Sequence, residues 1–473
     1  RYHSEDARHN RERPIARRRK GIDHYLAKYI KGPLPAALSG SPPPKTVSSP
    51  WNAAAAPKRT KQSVARRRRT LTKMASTWTV ASAQPTDARG DEQTPAPRYG
   101  HGAAISNDIM TITHGYYFDH ERCKPMFLDD TWEYHTKHKK WRYRSLGSVR
   151  PCKRFHVQYA WDASHLYLFG GTDGGLRVNK GENFIFGPRA EFNDLWRLQL
   201  NEESARWEKL HGGSDETYNA VEGQDVPRKA HMGGCACAAG RVYTFGGLCG
   251  DESEEPDGLE ALGELWSWNI AEASWSKAKT TGSKPDARYG CGMVSDGDGF
   301  LLTGGRVRDK EDEDARKLFD DLWRLDCTKM TWSLLHRDPL LKRVDAAVCR
   351  AGQHLILWGG NVAEQPIAAE VPCDGVLYDD QFRACAPLPV RPCDVPSGLT
   401  EAPPFGRLHA TLVSVPDGAR RVLLLFGGES VHPHMYHGSV YEARLFLPGS
   451  SEDPPDLGDL SLAPAPAPAP APA

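Results

Sequence analysis

Four histidines, His101, His156, His231 and His409, recur along the chain, and repeated imidazoles are what a metal centre or a general-base site would use. Each stands at the same place in a copy of one sequence pattern, which argues for a structural hydrogen bond rather than a catalytic row. His432, His434 and His437 fall within six residues of one another, but no second ligand group lies near them, so no metal and no cofactor is assigned. Cys235 and Cys237 project to one side of a strand and read as small apolar packing residues. The run from Lys310 to Lys317 lacks the ligand spacing and glycine of a calcium loop. The stronger pattern is cationic: Arg98, Lys153, Arg228, Arg288, Arg343 and Arg407 stand at the start of successive copies. Such a ring, on one face, would receive an acidic peptide. The alternative is that these cations pair with Asp194, Glu264 and Asp321 or cap backbone carbonyls.

The elements that would position them repeat. A histidine or its substitute (Cys291, Ala346) leads, 13 to 18 residues on, through an apolar strand to a glycine pair. The pairs are Gly170-Gly171, Gly246-Gly247, Gly304-Gly305, Gly359-Gly360 and Gly427-Gly428, with His114-Gly115 as a degenerate first copy. After a variable loop come an acid, a small or apolar residue and Trp, as in Asp130-Thr131-Trp132, Asp194-Leu195-Trp196, Glu264-Leu265-Trp266 and Asp321-Leu322-Trp323. A second Trp follows 9 or 11 positions later, at Trp141, Trp207, Trp275 and Trp332. The fifth copy puts Tyr378 and Cys385 where the two Trp would lie, and the last has Tyr441 alone.

This succession, over Thr77 to about Phe446, resembles the kelch motif. The resemblance implies an all-β, six-bladed β-propeller in which each copy is a four-stranded antiparallel sheet stacked around an axis. Glycine pairs suit crowded backbone at positive φ, and Trp fills the space between blades. The last copy lacks its outer strand, while Ser76-Thr77-Trp78-Thr79-Val80 reads as an outer strand without a blade. Trp78 is therefore expected to complete blade six and close the ring. The d-to-a and b-to-c connections share a face, and the long ones make it the candidate binding face. The implied function is protein binding, as a scaffold or substrate adaptor gripping a partner peptide, and not catalysis. The alternative is a metal-dependent enzyme on the same fold, an iron lyase like the nitrile-specifier proteins or a copper oxidase like galactose oxidase, for which no matching ligand spacing is found.

Outside the repeats, Arg1 to Lys73 carry 19 Lys/Arg against 4 Asp/Glu, a net of +15, and the rest of the chain carries 42 against 56, or −14. Residues 1–73 cannot bury a core and read as a disordered basic arm, or as translated leader if Met74 is the start. The expected domains are thus this arm, the propeller over 74–447, and an acidic then Ala-Pro tail over 448–473. Nucleic acid contact is expected only through the arm. Eleven scattered cysteines, no Asn-x-Ser/Thr site and no apolar run long enough for a bilayer point to a cytoplasmic protein, or a nuclear one if the arm is translated.

Overall fold

In the computed structural model the apolar strands that run into glycine pairs lie second from the axis in six antiparallel sheets. The structure describes residues 76–446 except 83–93, 175, 179–183, 187–190, 213–226, 228–231, 251–258, 309–315, 364–370, 381–382, 389, 392–405, 419 and 432–433. The basic arm and the tail lie outside these residues.

From the axis outward the strands of a blade are called a to d. Blade 1 is Gly102–Ser106, Ile109–Thr113, Thr131–His135 and Lys140–Tyr143; blade 2 is Gln158–Trp161, His165–Phe169, Leu195–Gln199 and Trp207–His211. Blade 3 is Gly234–Ala238, Arg241–Phe245, Leu265–Asn269 and Ser274–Lys277; blade 4 is Tyr289–Asp296, Gly299–Arg308, Asp321–Asp326 and Thr331–Arg337. Blade 5 is Ala347–Ala351, His354–Trp358, Gly375–Asp379 and Ala384–Leu388. Blade 6 takes Thr411–Asp417, Arg420–Phe426 and Val440–Phe446 from the end of the repeats and Ser76–Ser82 from their beginning. Strand b is covered on both sides by neighbouring blades, so it reads as a nearly continuous apolar run, and every residue of His354–Trp358 is buried.

The glycine pairs turn the chain out of strand b. Gly304 and Gly305 have φ of 63° and 84°, and a Cβ on Gly304 would lie 2.4 Å from the Arg343 carbonyl oxygen of the next blade. In the degenerate copy His114 takes the same left-handed conformation, at φ 62°. Past the pairs, two-stranded ribbons such as Tyr116–Asp119 with Lys124–Phe127 and Glu429–Val431 with His434–Tyr436 extend the blades on the loop face.

Among the described residues no core crosses the axis. Instead, six clusters of buried apolar side chains each fill one junction between consecutive blades. The strand d tryptophans lean onto the preceding blade: Trp141 on Phe426 at 5.1 Å between ring centroids, Trp275 on Phe169 at 5.4 Å and Trp332 on Phe245 at 6.0 Å. Trp78 does the same on Trp358 at 5.1 Å, and its strand pairs antiparallel with Val440–Phe446, Trp78 opposite Ala443. The ring is closed by the N-terminal strand, as the sequence implies. That strand also pairs parallel with Val390–Arg391 on its other side.

Strand pairing corrects one register. Cys385 lies opposite Tyr378 as Trp207 lies opposite Leu198, so Cys385 does take the place of a strand d Trp. The strand c Trp, which faces the residue two before the glycine pair, is replaced by Val376 and not by Tyr378. A shift of two keeps a side chain on the same face of a strand, which is why Tyr378 passes for the repeat aromatic in sequence. Among the described residues no helix is long and apolar enough to cross a membrane.

Replacing fully buried Trp78 by Ala should cost about 3–5 kcal/mol, as much as Trp275→Ala inside an uninterrupted blade. Urea unfolding of both variants checks this, and a Trp78 variant with wild-type stability would mean that the N-terminal strand does not hold the ring shut.

Candidate interaction face

At the start of strand a, Arg98, Arg154, Arg288 and Arg407 are 0% exposed and Arg343 is 4% exposed. Each Nη1 donates to the carbonyl of the first residue of its own blade's glycine pair: His114, Gly170, Gly304, Gly359 and Gly427, at 2.7–3.1 Å. Four of them also grip the repeat acid, Asp130, Asp194, Asp321 or Asp374. Asp130 and Asp194 in turn accept from the indole Nε1 two residues on, at 2.8 Å for Trp132 and 2.6 Å for Trp196. Each arginine's backbone oxygen accepts the N–H of the second glycine of the preceding blade; these bonds run from Gly428 to Arg98, Gly115 to Arg154, Gly247 to Arg288, Gly305 to Arg343 and Gly360 to Arg407. Burial alone would raise the pKa of Asp130, Asp194 and Asp321, but the facing guanidinium outweighs it and holds all three below the ordinary 3.8.

The cationic ring is therefore consumed by the fold. Arg98, Arg288, Arg343 and Arg407 stitch blades together and do not offer their charge to a partner. Lys153 is exposed and one residue out of register, the repeat position being Arg154. Arg228 and His231 lie outside the described residues; counting back from Met232, the arginine position of blade 3 falls on residue 230. Blade 3 settles its acid otherwise, with Lys277 and the Trp266 indole on Glu264.

Two residues after each arginine position stands a left-handed residue: Gly100 (φ 62°), His156 (51°), Met232 (57°), Gly290 (64°), Asp345 (59°) and His409 (52°). Backbone bonds chain them around the axis: Gly100 to the His409 oxygen, His409 to Asp345, Asp345 to Gly290, Gly290 to Met232 and Met232 to His156. The histidines thus do not share one role. His101 is buried one residue beyond this ring, bonded to Thr411 Oγ1 at 2.9 Å, with burial and then Arg98 pushing its pKa well down. His156 and His409 occupy the ring itself, their imidazoles 4.5 Å apart, with His409 Nε2 3.6 Å from Asp345 Oδ2.

The residue between arginine and ring carries what sequence reasoning missed. Tyr99 follows Arg98 and Phe155 follows Arg154, and each bridges to the first residue after its glycine pair, Tyr116 and Thr172. Around the Tyr99 ring lie Tyr116 at 5.4 Å, Phe155 at 5.7 Å, His156 and His409 at 5.5 Å, and Tyr436, stacked at 5.7 Å and 11°. Phe127 packs 4.9 Å from Tyr116. All seven are half-buried, so blades 1, 2 and 6 share an aromatic patch on the loop face beside the axis. On blade 4 the corresponding bridge pairs Tyr289 with Arg306, whose guanidinium lies 5.2 Å from the Tyr289 ring centre. No carboxylate among the described residues pairs with Arg306, and its buried Nε has no acceptor. The signal for this patch was an aromatic directly after the arginine, as in Arg98-Tyr99 and Arg154-Phe155.

The remaining sequence candidates settle into the fold. Burial pushes the Cys235 thiol up to about 12 and raises Cys237 as well, as packing residues require. His437 is buried and His432 lies outside the described residues.

Residues 181–360 match the family model described as the KLHDC2/KLHL20/DRC7 Kelch-repeats domain. The human Host cell factor 2 is 24% identical over 286 residues, 54% of this chain and 33% of that protein. The Drosophila melanogaster Leucine-zipper-like transcriptional regulator 1 homolog is 25% identical over 283 residues, 57% of this chain and 25% of that protein. Kelch domain-containing protein 10 of Xenopus laevis is 23% identical over 224 residues, 40% of this chain and 52% of that protein. The chain thus spans a third or less of the length of the first two.

Arg288→Met strands a buried carboxylate and should cost about 3–5 kcal/mol, whereas Arg288→Met with Asp321→Leu should recover most of it. Chemical unfolding of both and of Asp321→Leu closes the cycle, with additive costs as the contrary result. His114 is buried, and burial followed by Arg154 lowers its pKa from 6.5 to about 4. Its folded pKa being the lower one, it contributes stability above about pH 6.5 that is lost progressively toward about pH 4. His114→Asn tolerates the left-handed backbone, so its urea midpoint should fall less than wild type between about pH 7 and about pH 5.

Proposed function

We propose that this chain, a kelch-repeat β-propeller, is a protein-binding scaffold or substrate adaptor that receives a partner segment on the face where the d-to-a and b-to-c connections meet. The observation that carries this reading is the half-buried aromatic patch of Tyr99, Tyr116, Phe127, Phe155 and Tyr436 beside the axis. Partly exposed aromatics held rigid by their neighbours are the side chains that dominate binding energy at interfaces, because they bury large area at little entropic cost. The kelch-repeat relatives, among them a transcriptional regulator homolog, fit an interaction role.

An acidic partner remains the expected kind, but the anchor is not the arginine ring. Arg306 supplies it: a guanidinium with no carboxylate of its own among the described residues, backed by the Tyr289 ring. A carboxylate would complete its hydrogen bonding and would be held in a fork geometry. The partner segment is thus an extended peptide with an aromatic or aliphatic residue for the patch and an Asp, Glu or free C-terminus for Arg306.

Selection of displayed random peptides on the full chain tests this. Selected peptides should share an apolar anchor and an acid, and Tyr116→Ala or Phe127→Ala should weaken them about 10- to 100-fold with melting unchanged. Arg306→Gln should remove the preference for the acid. Peptides that bind all three variants as tightly as wild type would place recognition elsewhere.

A further inference from the structure

We propose that His336, Asp338 and Cys385 form a zinc site with one open coordination position at the junction of blades 4 and 5. The inference begins with the missing tryptophan. In blades 1 to 4, and in blade 6 through Trp78, an indole in strand d wedges against the preceding blade, whereas blade 5 has Cys385 there. The space is shared by Tyr378 and by two polar residues where blade 4 ends, His336 near the end of its strand d and Asp338 just past it. A structural gap-filler would be apolar, as Leu341 and Leu335 beside it are. Imidazole, carboxylate and thiol are instead three metal-ligating chemistries, and one ligand atom from each lies within 4.8 Å of the others.

The geometry is close to what a tetrahedral zinc needs. Bond lengths of 2.0–2.3 Å for nitrogen, oxygen and sulfur put neighbouring ligand atoms roughly 3.4–3.6 Å apart, and His336 Nε2 stands 3.8 Å from Asp338 Oδ2. The carboxylate is already oriented: Asp338 Oδ1 accepts the Leu340 N–H at 3.0 Å at the start of the 3-10 turn Pro339–Leu341, leaving Oδ2 for the imidazole side. The His336 ring rests against Tyr378 at 5.6 Å. Cys385 is buried at the floor, while the side chains of His336 and Asp338 are 25% and 19% exposed. Three protein ligands with a solvent-side opening leave the fourth position to water or to a side chain of a partner. Burial first, then Asp338, raise the thiol's pKa, and a bound dication reverses that sign by stabilising the thiolate. A mixed nitrogen, oxygen and sulfur set favours zinc over calcium or magnesium.

The test uses the full chain, freed of metal with a chelator and titrated with cobalt(II) as a spectroscopic stand-in and with zinc(II) against a chromophoric competitor. Cobalt should give the thiolate-to-metal charge-transfer band, and zinc should displace it. Cys385→Ser should abolish the band and weaken zinc by at least about 100-fold, the upper end of what is lost with a residue that only hydrogen-bonds to a ligand. Cys373→Ser, at an exposed thiol elsewhere, should leave both unchanged. His336→Ala, at a partly exposed position, should weaken zinc while melting as wild type does, which keeps the test decisive if Cys385→Ser unfolds. No charge-transfer band in the wild type, or a band that survives in Cys385→Ser, overturns the site.

Discussion

Five of the six blades depend on an arginine that serves two blades at once. Its side chain binds the acid and the turn carbonyl of its own blade, while its main-chain oxygen takes the glycine N–H of the blade before. A buried ion pair gains little over an apolar contact unless every donor is used, and here the donors are used. In Arg98, Arg154, Arg288 and Arg343 even Nε reaches a carbonyl, that of Ala96, Cys152, Asp286 and Leu340. The stitch requires left-handed residues, and the glycine pair supplies them except in blade 1, where His114 takes the first position. Where the acid is missing, at Ser439 of blade 6, Arg407 keeps its turn carbonyl and lies 4.8 Å over the Tyr441 ring instead.

Because the fold uses up these cations, recognition falls to what the stitch holds in place. The residue after each arginine is pinned between the guanidinium anchor and the left-handed ring, so Tyr99 and Phe155 are presented with little freedom. Four members of that ring are not glycine, and backbone of this kind costs of order 1–3 kcal/mol per residue. His156 and His409 carry that strain against the aromatic patch, on the face where the loops meet.

The repeat was legible because it is periodic and covalently marked: glycine pairs, Asp-x-Trp and a spare N-terminal strand are one-dimensional signals with one physical solution. The site was less legible, for a reason particular residues make plain. His101, His156 and His409 look alike in a string, yet a one-residue difference in the Arg-to-His spacing sends them to different places, and only the positive φ of Gly100, His156 and His409 reveals the true register. Lys153 and Arg154 are adjacent cations, and burial alone tells which is the anchor. The aromatic patch joins Tyr99, Tyr116, Phe155 and Tyr436, residues hundreds of positions apart in part, and no local pattern encodes their meeting. The His336, Asp338 and Cys385 cluster likewise joins two blades.

Blade 6 is built from both ends of the repeat region, and this sets an order on biosynthesis. Among the described strands Ser76–Ser82 leaves the ribosome before the others and is the last to find its antiparallel partner, since Val440–Phe446 is made some hundreds of residues later. Blades 1 to 5 can form one after another as their hairpins emerge, but Trp78 has no indole-sized pocket until Trp358 and then Ala443 have been synthesised. Through most of translation the nascent chain is an open arc with one unsatisfied strand and two uncovered blade faces, the state in which a chaperone has the most to hold.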